Sequence, residues 1–374
     1  MKKIMFTLAG LVLIATSCTK TEIVDNGEQT TSRNIGFSVY TARQTRAAQE
    51  DVTTSNLNTF QVSAIGNDAM YFNNVTFTKS TVWKSNPAYH WPAYPLTFCA
   101  YNVPANGTLT TNITKDAQTL TFSPSTNLAE QEDLVAAYAA DKTESNVEGQ
   151  EKALPITFNH YLTQVIVKAK CSNANYTVIV SGVKVANLAG EGTYTFSNNT
   201  MEANAGKKNS AESSDYSAEF NEKTLNGTAK EVMTDGNNGR WYLVPQTVSP
   251  WNRAGNPTNT SHGTYLALKV KIATIGGARI YPKAGDAAAW MAVPVPGELA
   301  FAQGKKYNVT IDFFSAGGVG GVGGAGYVDP EAPGDLDGDN GTDDRGKPIV
   351  GGAIKFDATV DDWDDNLVNV TINL

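Results

Sequence analysis

Charge is scarce in this chain, and basic charge is scarcer than acidic. Only 18% of the 374 residues are Asp, Glu, Lys or Arg, and 29 basic against 37 acidic side chains leave a formal net charge of -8. A phosphate-backbone partner needs a cluster of cations to displace counterions, and no such cluster is present, so nucleic-acid binding is excluded. Histidine is almost missing: His90, His160 and His262 fall on separate segments, none at metal-ligand spacing from another His, Cys or carboxylate. There is no nucleophile elbow, no phosphate-cradling glycine loop ahead of a helix and no paired-carboxylate motif. No catalytic residue, metal or cofactor is therefore expected, and the chain does not read as an enzyme. Asp335, Asp337, Asp339 and Asp343 imitate a calcium loop, but Asn340 holds the sixth position and Gly346 stands where the bidentate Glu belongs, so a solvated acidic turn is expected. Beyond the first residues no apolar run approaches the ~18 residues of a membrane helix.

What is present begins at the N-terminus. Met1-Lys2-Lys3 is a basic start, residues 4–15 are largely apolar, and Ala15-Thr16-Ser17 puts small residues directly before Cys18. This reads as an export signal. Its end resembles the bacterial lipobox, in which Cys18 is lipidated, becomes the new N-terminus and ties the protein to a membrane surface by that lipid alone. The other cysteines, Cys99 and Cys171, sit in or beside strand-like runs. Burial as small hydrophobes is expected for both, export also permits a bridge, and spacing leaves the pairing open.

Gly, Thr, Asn, Ser, Val and Tyr recur throughout, a composition suited to an extracellular β protein. Ile35, Phe37 and Val39 alternate with polar or small residues in a short first strand. The polar segment 41–51 that follows, with Arg43 and Arg46, is expected to be an exposed linker open to proteases. Strand patterns recur at 57–65, 75–77, 82–83, 96–101, 156–170, 176–185, 241–245, 265–272, 290–296 and 305–314. Residues 197–238 read as long loops around one or two short strands. One short helix is expected over 128–140, opened by Asn127 with Glu130 at capping-box spacing. Trp91, in an aromatic cluster before a strand, reads as core packing, with carbohydrate stacking by Trp83, Trp91 or Trp251 as the alternative. Short strands, Gly/Pro/Asn turns and almost no helix indicate β-sandwiches, and the length indicates two, meeting near residues 171–175.

The end of the chain repeats the rhythm of its start. Ile354, Phe356, Ala358 and Val360 alternate with polar residues. After the acidic corner around Trp363 so do Val368, Val370, Ile372 and Leu374. A glycine-rich tether, 317–326, and a Pro/Asp/Gly stretch, 329–352, precede them and read as a flexible spacer. A lone hairpin is marginal in water. These strands either fold back onto their own chain or complete another molecule.

Several short motifs stand in a telling order: Cys18, Asn34-Ile35-Gly36-Phe37-Ser38, Thr45-Arg46-Ala47, His90-Trp91-Pro92 ahead of residues 96–101, Phe158-Asn159-His160-Tyr161-Leu162, Gly304-Lys305-Lys306-Tyr307 and Val360-Asp361-Asp362-Trp363. Together they resemble the fimbrillins of the Bacteroides group, the type V pilins, in the minor-fimbrillin-like branch. The resemblance implies an all-β protein: two transthyretin-like β-sandwich domains in tandem plus a C-terminal donor-strand appendage. It implies a signal peptide over 1–18, a propeptide with the first strand over 19–46, sandwiches over 47–172 and 173–315, and a tether with donor strands over 316–374. It further implies an outer-membrane lipoprotein precursor cut after Arg46, with Arg43 as second choice, by a trypsin-like protease. The strand carrying Ile35, Phe37 and Val39 leaves, and a neighbour's strand carrying Val368, Val370, Ile372 and Leu374 fills the groove. The implied product is a structural or tip subunit of a cell-surface fimbria, joined to other pilin subunits and meeting a host or bacterial surface ligand. A pilus anchor and a monomeric glycan-binding lipoprotein are the alternatives. Whether residues 354–360 insert into a neighbour or pack at home is left open.

Overall fold

A computed structural model of the chain describes residues 33–41, 51–208, 210–236, 239–283, 285–295, 299–315, 326–332, 343–349, 354–362 and 370–372. Cys18, Arg43, Arg46, Val368, Leu374 and most of the glycine tether lie outside them, as do Asp335, Asp337 and Asp339 of the calcium-loop imitation.

The strands in chain order begin with β1 (Gly36–Thr41), β2 (Thr59–Gly66), β3 (Ala69–Lys79), β4 (Trp83–Ser85) and β5 (Leu96–Tyr101). Next come β6 (Thr108–Ile113), β7 (Gln118–Ser123), β8 (Val135–Lys142), β9 (Leu154–His160), β10 (Thr163–Cys171) and β11 (Tyr176–Leu188). Then follow β12 (Gly192–Thr195), β13 (Thr200–Ala203), β14 (Ser214–Thr224), β15 (Lys230–Glu231), β16 (Trp241–Leu243) and β17 (Gln246–Thr247). The last are β18 (Tyr265–Thr274), β19 (Arg279–Tyr281), β20 (Ala289–Pro294), β21 (Ala300–Phe301), β22 (Lys305–Phe313), β23 (Tyr327–Val328), β24 (Ile354–Asp362) and β25 (Val370–Ile372).

Alternating sequence becomes alternating burial. In β10, Val165, Val167, Ala169 and Cys171 enter a core while Ile166, Lys168 and Lys170 stay partly exposed. The first unit is a closed ring in the order β1-β4-β3-β2-β5-β8-β9, filled by Phe37, Phe60, Phe77, Phe98 and Phe158. A four-stranded sheet, β13-β12-β7-β6, covers the outside of β5 and β8. Strand β5 is therefore dry on both faces: Phe98 and Ala100 point into the ring, Cys99 and Tyr101 under the covering sheet. The second unit is a sandwich. Sheet β15-β10-β22-β24-β25, with β16 beside β10, faces sheet β14-β11-β18-β20-β23, with β19 beside β18, across one shared core.

The chain is all-β, and several finer expectations change. Strand β10 pairs in parallel with β22 through eight residue pairs, so the sheets part near residue 162 and not at 172. Strands β9 and β10 share one apolar style, and nothing local marks the break. Strand β12 also returns to the first unit by pairing with β7, and β13 follows by pairing with β12. The helix expected over 128–140 is one 3-10 turn, Leu128–Glu130, followed by β8. The Asn127 side chain does accept from the Ala129 N–H at 3.1 Å, but the Glu130 carboxylate accepts from the Ser125 hydroxyl and closes no capping box. Val135, Ala136 and Ala137 are then drawn into the ring wall beside β5. In the stretch read as loops, β14 is eleven residues long, with Tyr216 and Phe220 buried.

The C-terminal spacer is only partly a spacer. Strand β23 adds to β20, and Asp329 is buried against Lys184 at 2.6 Å. Gly326 lies so close to the Met291 thioether that a side chain there would collide with it. Residues 354–360 pack at home: β24 pairs with β22 over nine residue pairs and buries Ile354, Phe356 and Ala358. Cys99 and Cys171 are both free and buried.

Candidate functional site

The first strand is held on both sides. Phe37 pairs with Trp83 of antiparallel β4, and residues Phe37 to Thr41 pair with Leu154 to Phe158 of parallel β9. Ile35, Phe37 and Val39 are 1%, 0% and 7% exposed, while Tyr40 on the wet face is 54% exposed. The Phe37 ring meets Phe77 at 4.9 Å, Phe98 at 5.3 Å and Phe60 at 6.0 Å, all edge-on. Before β1, the Ile35 N–H donates to the Tyr89 carbonyl at 2.7 Å.

This strand differs from its ring neighbours in how it is attached. Its only covalent link to the strands that follow runs through residues 42–50, which carry Arg43 and Arg46. One cut there leaves β1 held by side chains and hydrogen bonds alone. Its departure would open a slot between β4 and β9, lined by Phe60, Phe77, Trp83, Leu154, Ile156 and Phe158, with two rows of backbone groups needing partners.

At the other end, Val370 and Ile372 pair with Val360 and Ala358, which makes β25 an edge strand held by three residue pairs. Within one chain β1 and β25 thus belong to different sheets, and the structure does not bring them together.

The three tryptophans offered as a sugar platform are closed to a ligand. Trp83, Trp91 and Trp251 are 6%, 3% and 2% exposed. Trp91 packs edge-on to Phe98 at 5.6 Å, and Trp251 lies between Tyr265 and Tyr327. Burial also pushes the Cys99 thiol up to about 12, so it stays protonated at neutral pH. Among the described residues no group of three His, Cys, Asp or Glu side chains could hold a metal ion.

One polar cluster escaped sequence reading. Asp51, assigned above to an exposed linker, is fully buried. Its Oδ1 accepts from the Tyr242 hydroxyl at 2.7 Å and from Gln164 Nε2 at 2.8 Å, and its Oδ2 lies 3.4 Å from Lys306 Nζ. Beside it, buried His160 Nδ1 meets Asp133 Oδ2 at 2.6 Å. Tyr242 and Gln164, which donate to the Asp51 carboxylate, lie more than a hundred positions away, out of reach of any local pattern.

The chain is similar to several proteins of known structure. A fimbrial protein from Bacteroides vulgatus is 18% identical, with a TM-score of 0.53, covering 75% of this chain and 95% of its own. A Bacteroides uniformis protein described as a cell-adhesion protein is 14% identical, with coverages of 88% and 99% and a TM-score of 0.44. The fimbrial anchor protein Mfa2 of Porphyromonas gingivalis is 12% identical, with coverages of 75% and 91% and a TM-score of 0.33. No curated protein sequence matches the chain. The family model for fimbrillin-like proteins matches residues 27–323, and the chain belongs to that family.

Proposed function

We propose that this protein is a non-enzymatic structural or tip subunit of a cell-surface fimbria. It is exported as a lipoprotein through Cys18, cut after Arg46, or after Arg43 as second choice, and polymerised by strand exchange. A neighbour's Val368, Val370, Ile372 and Leu374 replace Ile35, Phe37 and Val39 in the slot between β4 and β9. The observation that carries this reading is a buried strand, at the near end of a closed ring, joined to the rest by a single arginine-bearing link.

Energetics favour exchange once the link is cut. Three resident side chains at ~1.5–3 kcal/mol each hold β1 with about 4.5–9 kcal/mol of gross burial. Four donor side chains offer about 6–12 kcal/mol on the same scale, and main-chain bonds are made in either case. While the link is intact, β1 is present at a high effective concentration and the donor is excluded. Cleavage removes that advantage. β24 buries Ile354, Phe356 and Ala358 in its own sandwich, which supports a donor segment that begins after the acidic corner.

The test is to treat purified precursor lacking its signal with a trypsin-type protease and to follow size in mild denaturant. Ladders of resistant oligomers are expected from the full chain and none from a chain ending at Trp363. Cut protein that stays monomeric, or equal ladders from the truncated chain, would overturn the proposal. The N-terminal residue of subunits taken from filaments separates a cut subunit from an anchor that keeps its lipid.

A further inference from the structure

A cut between residues 42 and 50 releases β1 cleanly only if the chain on the far side of the cut stays where it is. Before cleavage, that far side is tethered at both ends, by β1 on one side and by β2 on the other. Afterwards it is a chain terminus, and termini fray unless tied down. Strand β2 sits inside the ring between β3 and β5, so fraying into it would damage the slot itself.

Asp51 stands at the first described position after the proposed cut. Gln164 lies on β10, Tyr242 on β16 and Lys306 on β22, so its carboxylate is gripped by three strands of the second sandwich. The Arg240 guanidinium stands 3.9 Å from Oδ1 and adds positive charge. The next residue is gripped by the ring: the Val52 N–H donates to Asp133 Oδ2 at 3.2 Å, and the same oxygen meets His160, the last residue of β9. Further on, Asn56 Nδ2 donates to the Asp51 carbonyl at 2.8 Å and Lys79 Nζ to the Thr54 carbonyl at 2.6 Å. A buried carboxylate is costly unless it is paired and hydrogen-bonded; the second sandwich supplies those partners to Asp51, while the ring side holds the Val52 N–H next to it.

We propose that Asp51 is the retaining anchor of the cut chain. It pins the new N-terminal segment into the seam between the ring and the second sandwich, so that β1 leaves alone and β2 keeps its register. The inference rests on the cleavage proposed above, and it adds a partner-independent requirement: the anchor matters more after the cut than before it.

The test replaces residues 43–47 with the recognition sequence of a site-specific protease, so the cut is made whichever protease acts in the cell. Hydrogen exchange over residues 51–66 is followed by mass spectrometry in the full chain and in Asp51→Asn, before and after cutting, on monomeric protein. Asn keeps an acceptor for Tyr242 and Gln164 but withdraws the charge facing Lys306 and Arg240. Uncut, the two proteins should exchange within about threefold of each other. After the cut the parent should keep its protection over 51–57, and Asp51→Asn should exchange ~100-fold faster there, because β1 no longer holds the opened segment close to its site. Tyr242→Phe, which removes one donor and keeps the ring, should move the same way by a smaller factor and carries the test if Asp51→Asn does not fold. Equal exchange in cut parent and cut variants would overturn the anchor, as would a variant effect no larger after the cut than before. So would loss of protection in the cut parent itself. None of these readouts depends on polymerisation, so failed ladders and a failed anchor are separate results.

Discussion

Phe37→Ala in the uncut chain probes both the resident strand and its replaceability. The ring is fully buried and packs edge-on to three other phenylalanines, so the substitution removes aromatic contact from the centre of the first unit. A Phe-to-Ala change at such a site costs ~3–5 kcal/mol, the transfer loss plus the cavity left behind. With a urea slope of ~2 kcal/mol per molar, a loss of ~4 kcal/mol lowers the midpoint of the first unit by ~2 M. The assay is urea unfolding read by hydrogen exchange, with β2 and β9 amides reporting on the ring and β22 amides serving as an internal reference. The cut, polymerised protein supplies the decisive contrast. If β1 leaves as proposed, Phe37 is absent from the filament, so filaments made from the variant and from the parent should have the same stability, while variant precursor should polymerise faster once cut. The reasoning is refuted if the variant weakens filaments as much as it weakens precursor, or if the uncut variant and the uncut parent unfold together.

Other consequences are simpler to check. Cys99 is buried with its thiol raised to about 12, so a maleimide at pH 8 should leave it unlabelled in native protein and modify it at once in denaturant; rapid native labelling would show that the covering sheet opens. Lys184→Ala should leave the buried Asp329 carboxylate uncompensated and cost ~3–5 kcal/mol locally, seen as fast exchange at the β20–β23 amides with the ring unaffected.

Much of the fold was legible because strand alternation is a local property. The runs containing Phe37, Val167 and Tyr307 each announce a strand with one dry face, and each is a strand in the structure. Where reading failed, tertiary contacts overrode the local signal. Residues after Asn127 carry helix-start chemistry, yet the alanines that follow are worth more in the ring wall between β5 and β9. Tyr216 and Phe220 alternate correctly in β14 but are surrounded by so many polar residues that the pattern read as loop. The 329–352 stretch has the composition of a spacer, and composition says nothing of Lys184 waiting for Asp329.

The sequence alone therefore determined which residues can form strands, and that apolar residues alternate with polar or small ones near both ends of the chain. These follow from short-range alternation and composition. Only the tertiary structure decided that β1 closes a ring, that β24 stays at home, and that Asp51 is buried at the seam between two units. Those facts depend on residues distant in sequence meeting in space, and a carboxylate at the edge of a linker looks the same on paper whether its partners are water or Tyr242, Gln164 and Lys306.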